Sequence, residues 1–249
     1  MHHFFVPEEN LLDGWIIIRG DDVNHIRNVL RMTLGEKLAI SCGKGVEYIC
    51  AVEELQEDAV TARILEEHAT ESELPVSITL FQSLPKSDKM EFVIQKAIEL
   101  GVSRVVPMRT KRCVVKLDER KEQKKLARWQ AIAEAAAKQS GRGMIPEIER
   151  IADFEQALQM AAQCDTLLIP YELCDNMPES VTAVQRAAEG KSVGIFIGPE
   201  GGFERGEVEQ AVNGGSVAIS LGKRILRTET AGLAVLSVLM FLIEGKNKN

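Results

Sequence analysis

The chain has 249 residues, of which 45% are hydrophobic and 27% are charged, and its formal net charge is −7. This composition is ordinary for a soluble globular protein with one large or two modest domains. The five cysteines contain no CxxC pair, which argues against a zinc site or a disulfide framework and favours reduced thiols in a cytoplasmic protein. No signal peptide and no membrane span are expected, because the longest uncharged apolar segment, 231–243, is too short.

The first 71 residues are predicted to form short strands around one amphipathic helix. The strand candidates are β-rich and bounded by turn residues: 4–6, 15–18, 37–42, 46–53 and 59–65. Residues 43–45, Gly-Lys-Gly, are predicted to be a hairpin loop. The helix candidate, 22–31, places Val23, Ile26 and Leu30 on one face. A small closed barrel is the architecture that this pattern favours.

Strands and helices alternate beyond a polar segment, 66–75, that reads as a linker. A helix is predicted to begin at Asp88, with Glu91 three residues later as a variant capping box, and to end at Gly101. The remaining candidates are strands 76–84, 102–108, 166–170, 193–197 and 217–221, and helices 118–140, 178–189 and 205–212. Such alternation predicts an α/β domain with a mostly parallel sheet covered on both faces.

Charge is distributed unevenly along the chain. Residues 1–72 contain six Lys and Arg against fourteen Asp and Glu, whereas residues 104–142 contain twelve against four. A basic face of this kind can steer a polyanion such as RNA. The alternative is a solvated, lysine-rich helix without a binding role.

Two glycine-bearing turns follow the last two strand candidates, at 198–202 and 222–231. Ligands of open α/β sheets bind just past the carboxyl ends of the strands, and glycine lets the backbone approach them closely. Neither turn matches GxxxxGK[ST] or GxGxxG, so an ordinary phosphate loop is not expected. The turns therefore predict a small-molecule site, with two tight turns that merely close the sheet as the alternative.

Several segments resemble one known family. They are HHFFV, HIRNVLR, FQSLPKSDKMEFVIQKAIELGV, AKQSGR, IGPEGGF and LGKRILRTETA, and they cover nearly the whole chain. The chain is similar to SPOUT-class methyltransferases and, within them, to the bacterial family that methylates N3 of a uridine in 16S ribosomal RNA. The resemblance implies a PUA-like RNA-binding β-barrel over residues 1–72 and a SPOUT methyltransferase domain with a trefoil knot over residues 73–249. It also implies a homodimer, for which the apolar segment 231–243 would be an interface helix.

The resemblance implies S-adenosylmethionine as cofactor, and no metal is needed because the donor is a sulfonium. The candidate cofactor-binding residues are Ile197, Gly198, Gly202, Leu221, Gly222, Ile225, Leu226 and Thr230. Arg227 is the candidate catalytic residue, because a guanidinium can stabilise charge on the uracil oxygens as N3 attacks. Glu229 is a candidate base or orienter. Alternatively, Arg227 and Glu229 pair with each other, and Thr228 or Thr230 caps the helix.

The expected partner is 16S ribosomal RNA or the small ribosomal subunit. The candidate RNA-binding residues are His25, Arg27, Arg31, Lys86, Lys89, Arg112 and Arg142. Glu172 and Glu200 are further acidic candidates, unless each only satisfies loop backbone. No histidine lies beyond His68, so a hydrolytic triad is not expected in the second domain. Two other functions stay open: methylation of another RNA atom, such as a ribose 2′-hydroxyl, and RNA binding without catalysis.

Overall fold

The computed structural model describes residues 1–43 and 45–246, so Lys44 of the predicted 43–45 loop lies outside the described residues. The chain divides into two units. The first contains Met1–Glu73 and Ala137–Ile145, and the second contains Leu74–Ala136 and the chain from Pro146 onward. The sequence predicts one boundary between residues 72 and 73, whereas the structure also brings 137–145 to the first unit.

The first unit is built on a six-stranded sheet with the order β1-β4-β5-β6-β3-β2. Its strands are β1 (His2–Phe5), β2 (Leu11–Leu12), β3 (Trp15–Arg19), β4 (Lys37–Ser41), β5 (Val46–Leu55) and β6 (Ala59–Ala69). All neighbours are antiparallel except the parallel pair β1 and β4. Alternate residues of these strands, such as Ile16 and Ile18, or Leu38 and Ile40, point into one buried core.

The predicted helix of this unit begins as α1 (Asp21–Asn24) and continues as one π-helical segment, His25–Val29. The backbone N–H of Leu30 donates to the carbonyl of His25 at 2.9 Å, which is the wider i to i+5 bond. Arg31 then takes a positive φ of 54°, which ends the helix. Val23 and Ile26 are buried, as the apolar face of the predicted helix requires.

Residues 137–145 are held to the first unit by ion pairs. Lys138 Nζ lies 3.1 Å from a carboxylate oxygen of Asp22. The guanidinium of Arg142 forms an ion pair with Glu73, whose carboxylate also accepts from the Gly143 N–H at 3.0 Å. These partners are far apart in the sequence, which is why no local pattern predicts them.

The second unit contains a seven-stranded, all-parallel sheet with the order β10-β8-β7-β12-β11-β13, in which β9 also pairs with β8. The strands are β7 (Ser77–Ser83), β8 (Arg104–Arg109), β9 (Glu147–Ile148), β10 (Ala152–Asp153), β11 (Thr166–Pro170), β12 (Ser192–Ile197) and β13 (Ser216–Ile219). The helices are α2 (Lys89–Glu99), α3 (Glu119–Gln139), α4 (Phe154–Ala161), α5 (Met177–Ala187), α6 (Arg205–Asn213) and α7 (Thr228–Glu244). The predicted α/β architecture with a parallel sheet is confirmed.

The centre of this sheet is fully buried, which explains its continuous apolar strands. Phe81 of β7 lies opposite Phe196 of β12, and their rings stack with centroids 4.7 Å apart. Phe154 at the start of α4 meets Phe196 edge-on at 6.0 Å. This packing fixes β7 against β12, and the carboxyl ends of both strands lie at the edge of the sheet that carries the glycine turns.

One local prediction is wrong, and one helix is missing from the predicted elements. Asp88 is the N-cap residue of α2, but it makes no side-chain capping bond. Its φ of −94° and ψ of 13° are not the extended conformation that a capping side chain needs, and Glu91 instead pairs with Lys125 and Arg128 of α3. Helix α4 was not predicted, although Asp153 and Gln156 form a complete capping box there.

Helix α7 contains the whole predicted apolar segment 231–243. One side is buried through Val235, Leu236 and Leu239, whereas Val238 and Phe241 are 50% and 76% exposed. Among the described residues, no helix has the length and apolar character needed to cross a membrane.

Candidate functional site

A cleft of about 550 Å³ opens at the carboxyl ends of β11, β12 and β13, beside the first turn of α7. Seven of the eight predicted cofactor-binding residues line it, namely Ile197, Gly198, Gly202, Leu221, Gly222, Ile225 and Leu226. The eighth, Thr230, is exposed in the first turn of α7 and is not part of this lining. The structure thus brings together two segments, 197–202 and 221–226, that are separated in the chain.

Glycine is required in both turns for identifiable reasons. Gly202 has a φ of 67°, and a β-carbon there would lie 3.0 Å from a carboxylate oxygen of Glu172. Gly222 has a φ of 101°, which an L side chain adopts only under strain, and no atom lies within 4 Å of its β-carbon position. A β-carbon at Gly198 would lie 3.2 Å from the backbone of Gly202 and Phe203. The first turn is therefore tightly folded on itself, and the second leaves open space.

Arg227 lines the cleft as the N-cap residue of α7, and its side chain is exposed. Its carbonyl accepts from the N–H groups of Thr230 and Ala231 at 2.9 and 2.8 Å, so its backbone is fixed by the helix. The positive end of the helix dipole adds to the guanidinium charge at this point. An anionic oxygen placed here would meet both.

The alternative arrangement, in which Arg227 pairs with Glu229, is not found among the described residues. A carboxylate oxygen of Glu229 lies 3.3 Å from Lys89 Nζ, and the same nitrogen lies 3.4 Å from Glu200. Neither threonine caps α7, because the Thr228 hydroxyl donates to the Gly198 carbonyl at 2.5 Å and Arg227 is the N-cap residue. Lys89 therefore links the first glycine turn to the start of α7.

Glu200 accepts a hydrogen bond from loop backbone, which is the alternative role that the sequence leaves open for it. Its carboxylate accepts from the Lys86 N–H at 2.9 Å, in addition to its contact with Lys89. Partial burial acts to raise the pKa of the Glu200 carboxyl, but the hydrogen bonds from Lys86, from its own backbone and from Lys89 together lower that pKa. Glu200 is thus held ionised at the rim of the cleft, and Glu172 lines the cleft nearby.

Arg112 supports the first glycine turn. Its Nη1 donates to the carbonyl of Gly201 at 2.8 Å, and the N–H of the adjacent Lys111 donates to the buried Glu207 at 2.9 Å. Because this contact comes from a loop far away in the sequence, the sequence alone indicates only a basic residue available to RNA.

The other predicted RNA-binding residues differ in their exposure. His25, Arg31 and Lys86 are exposed and Arg27 is half-buried, whereas Arg142 is only 3% exposed and is paired with Glu73. The position of Arg142 differs from the exposed RNA contact that the sequence predicts, because the Glu73 carboxylate fixes its guanidinium inside the first unit. Its ion pair with Glu73 therefore joins residues 137–145 to the rest of the first unit.

The basic stretch on α3 is partly neutralised by acidic neighbours. Lys121 lies 3.1 Å from Asp118, and Lys125 lies 3.4 Å from both Asp88 and Glu91. The side chain of Lys121 is nevertheless 68% exposed, so the stretch keeps a solvent-facing positive charge. Within residues 1–43 and 45–246, no cluster of three His, Cys, Asp or Glu side chains could hold a metal ion.

Gln82 is not among the predicted site residues, although it contacts Thr228, which lines the cleft. It is fully buried near the end of β7, and its Nε2 donates to the Thr228 hydroxyl at 3.0 Å. The sequence does contain a signal for it: Gln82 and Ser83 are the two polar residues in the strand segment Leu80 to Leu84, whose other residues are apolar.

Comparison with known proteins identifies the family. The family described as "RNA methyltransferase domain" matches residues 72–240, and that described as "RNA methyltransferase PUA domain" matches residues 18–65. Ribosomal RNA small subunit methyltransferase E of Bacillus subtilis (strain 168) is 38% identical over 231 residues, covering 91% of this chain and 90% of that protein. The protein of the same name from Mycobacterium tuberculosis is 31% identical over 225 residues, covering 88% and 84%.

A solved structure agrees with these relatives. It is a ribosomal RNA small subunit methyltransferase E from Neisseria gonorrhoeae bound to S-adenosyl methionine, and it is 34% identical with a TM-score of 0.85. The similarity covers 97% of this chain and 98% of that one. A parallel α/β unit with two glycine turns, a preceding β unit and full-length relatives of one kind lead to one conclusion: the chain belongs to the RNA methyltransferase family that includes the ribosomal RNA small subunit methyltransferases E.

Proposed function

We propose that this protein transfers a methyl group from S-adenosylmethionine to N3 of a uridine in the 16S ribosomal RNA of the small subunit, in the cytoplasm. The observation that carries the proposal is the cleft, in which both glycine turns meet Arg227 at the start of α7. Relatives over nearly the full chain are named ribosomal RNA small subunit methyltransferase E, and one of them binds S-adenosyl methionine.

The cleft fits the proposed cofactor. Its volume of about 550 Å³ lies within the range of small-molecule sites, which is roughly 300–1,000 Å³. Leu221 and Leu226 offer apolar surface, and the open space above Gly222 lets a ligand approach the backbone. When bound, the cofactor supplies an electrophilic methyl group on a sulfonium, which needs no metal to react.

The residues around the cleft divide the remaining work. Arg227 and the start of α7 are proposed to stabilise the negative charge that develops on the uracil oxygens as N3 attacks. The N3 proton must leave, and Glu229 is the proposed acceptor or the group that orients it. Lys89 holds the Glu229 carboxylate at 3.3 Å, so this group is already oriented before substrate arrives.

RNA binding is proposed for exposed or half-buried basic residues of each unit. In the first unit these are His25, Arg27 and Arg31, and in the second they are Lys86 and the α3 stretch. Arg112 and Lys89, which contact the glycine turn or the cleft, would link RNA binding to the shape of the site. Phosphate contacts of this kind position the RNA but do not read its sequence.

The proposal includes a trefoil knot in the second unit and a homodimer formed through α7. The exposed Val238 and Phe241 support the dimer, because they leave apolar surface on a helix whose other side is already buried. Equilibrium sedimentation at micromolar concentration is expected to give twice the monomer mass, and a monomer alone would contradict this part.

Labelled methyl transfer tests the activity. Small subunits from a strain that lacks the enzyme are incubated with the protein and methyl-labelled S-adenosylmethionine, and the RNA is then digested to nucleosides. Label in 3-methyluridine supports the proposal, whereas label in a 2′-O-methylated nucleoside identifies a ribose methyltransferase. Binding of RNA without any transfer would indicate a binding module.

A further inference from the structure

A buried chain of hydrogen bonds joins the two sides of the cleft. Gln82 Nε2 donates to the Thr228 hydroxyl at 3.0 Å, and that hydroxyl donates to the Gly198 carbonyl at 2.5 Å. Gly198 begins the first glycine turn, and Thr228 directly follows Arg227. Gln82 is 0% exposed and Thr228 is 6% exposed, so water does not compete for these bonds.

The donor and acceptor roles in this series of hydrogen bonds are fixed. Gln82 Nε2 also donates to the Ser83 carbonyl at 3.0 Å, and a carbonyl can only accept, so the amide nitrogen must be on this side. The Thr228 oxygen therefore accepts from Gln82, and its single proton is directed to Gly198. The relay has one direction, from β7 through α7 to the turn after β12.

Stability alone does not account for an amide at this position. Gln82 lies across from Ile197 of β12 and Pro107 of β8, in a sheet whose neighbouring side chains are apolar. Its Oε1 is buried, and no hydrogen-bond partner is found for it in the described part of the chain. A buried acceptor without a partner destabilises the fold, and an apolar side chain of similar size would avoid that cost.

We infer that Gln82 is a positioning residue for the proposed methyl transfer. Through the Thr228 hydroxyl it sets the distance between the Gly198 turn and the first turn of α7, and hence where Arg227 lies relative to the cofactor turn. It does not line the cleft itself, so it acts through Thr228 and not by touching substrate. The role of Gln82 in methyl transfer rests on the proposed function, whereas the hydrogen bonds among Gln82, Thr228 and Gly198 do not depend on it.

The effect on rate follows from the geometry of catalysis. A displacement of about 1 Å at a reacting centre can lower a rate by about a hundredfold. Gln82→Leu removes the donor that holds the Thr228 hydroxyl, so the remaining bond from Thr228 to Gly198 is no longer anchored to β7. We expect the single-turnover rate of methyl transfer to fall roughly ten- to a hundredfold, with a smaller change in cofactor affinity.

The experiment compares four variants with the wild type: Gln82→Leu, Thr228→Val, the double variant, and the control Thr228→Ser, which keeps the hydroxyl. Three quantities are measured, namely the melting temperature, the affinity for S-adenosylmethionine by calorimetry, and the single-turnover rate. Replacing both partners of a buried hydrogen bond by apolar groups can be nearly neutral for stability. The double variant is therefore expected to melt at or above the wild-type temperature yet to stay slow, while Thr228→Ser keeps most of the rate.

Two results would overturn the inference: a wild-type rate in Gln82→Leu, or a double variant that recovers rate together with stability. If Gln82→Leu fails to fold, Gln82→Met, which preserves the length of the side chain, takes its place.

Amide hydrogen exchange gives a readout that does not need activity. Exchange at residues 198–203 and 228–231 is expected to be faster in Gln82→Leu than in the wild type, and unchanged exchange would also overturn the positioning role. If the wild type transfers no methyl group at all, the proposed function is wrong, while the exchange comparison still decides whether Gln82 couples the two turns.

Discussion

Replacing Arg227 by alanine is expected to slow methyl transfer strongly. The stability of the fold and the affinity for the cofactor are expected to change little. The side chain is exposed in the cleft, it makes no capping bond, and it has no ion-pair partner among residues 1–43 and 45–246. Its structural contribution is the carbonyl that accepts from Thr230 and Ala231 at 2.9 and 2.8 Å, and alanine keeps that carbonyl. The substitution therefore removes a cation and a donor but no bond that the folded chain uses.

The size of the effect follows from where the charge develops. Removing one preorganised donor from a developing oxyanion costs about 3–4 kcal/mol, or roughly a hundred- to a thousandfold in rate. A lysine at the same place keeps the charge but not the planar fork of donors, so Arg227→Lys should recover little of the rate.

Single-turnover rates at saturating RNA and cofactor isolate the methyl-transfer step, and calorimetry measures cofactor affinity separately. Arg205→Ala is a matched control, because it removes the same charge from the same unit at a side chain that is 86% exposed and lies outside the cleft. An Arg227→Ala variant with the wild-type rate would refute the catalytic role. Loss of cofactor binding with no separate loss of rate would assign Arg227 to the cofactor site.

Three further predictions concern the second glycine turn, Glu200 at the rim of the cleft, and the lysines of α3. Gly222→Val should weaken S-adenosylmethionine binding in calorimetric titration, because φ is 101° there, and unchanged affinity would remove this turn from the site. The lowered pKa of Glu200 means that its ionised form stabilises the fold above its ordinary value of 4.5, and this contribution is lost as the pH falls through the lowered pKa. The free energy of unfolding of Glu200→Gln should therefore lie below that of the wild type at about pH 7, with the gap closing as the pH falls below 4.5 and through the lowered pKa, and a constant gap would contradict the assignment. Neutralising Lys121, Lys124 and Lys125 together should flatten the salt dependence of RNA binding by about 0.7–0.9 in log–log slope for each phosphate that these lysines neutralise in the wild type, and an unchanged slope would leave α3 as a solvated helix.

The alternation of strands and helices could be predicted from sequence because each element has its own local period. Buried parallel strands give continuous apolar runs, and the helices that cover them give the 3.6-residue pattern. The glycine turns could be placed for a related reason, since the carboxyl ends of parallel strands lie at one edge of the sheet. Helix α4 and strands β9 and β10 are not predicted because they are too short to show a clear period: α4 has eight residues, and β9 and β10 have two each.

The contacts that shape the site could not be predicted, because they join residues far apart in the chain. Lys89 is 140 positions from Glu229, and its pairing becomes visible only when α2 and α7 meet at the cleft. The sequence indicates a lysine free to bind RNA, and the structure gives it two carboxylate partners. The same holds for Gln82 and Thr228, which are separated by 146 positions. Local pattern therefore located the turns, and tertiary contacts determined which side chains stay available within them.

The most direct measurement of the central claim is nucleoside analysis of small-subunit RNA after a single round of methyl transfer. Unmethylated subunits are treated with wild-type protein and labelled S-adenosylmethionine, with Arg227→Ala in parallel. The account predicts label in 3-methyluridine with the wild type, and formation at least about a hundredfold slower with the variant. Label in any other nucleoside, or equal rates for the two proteins, would contradict it.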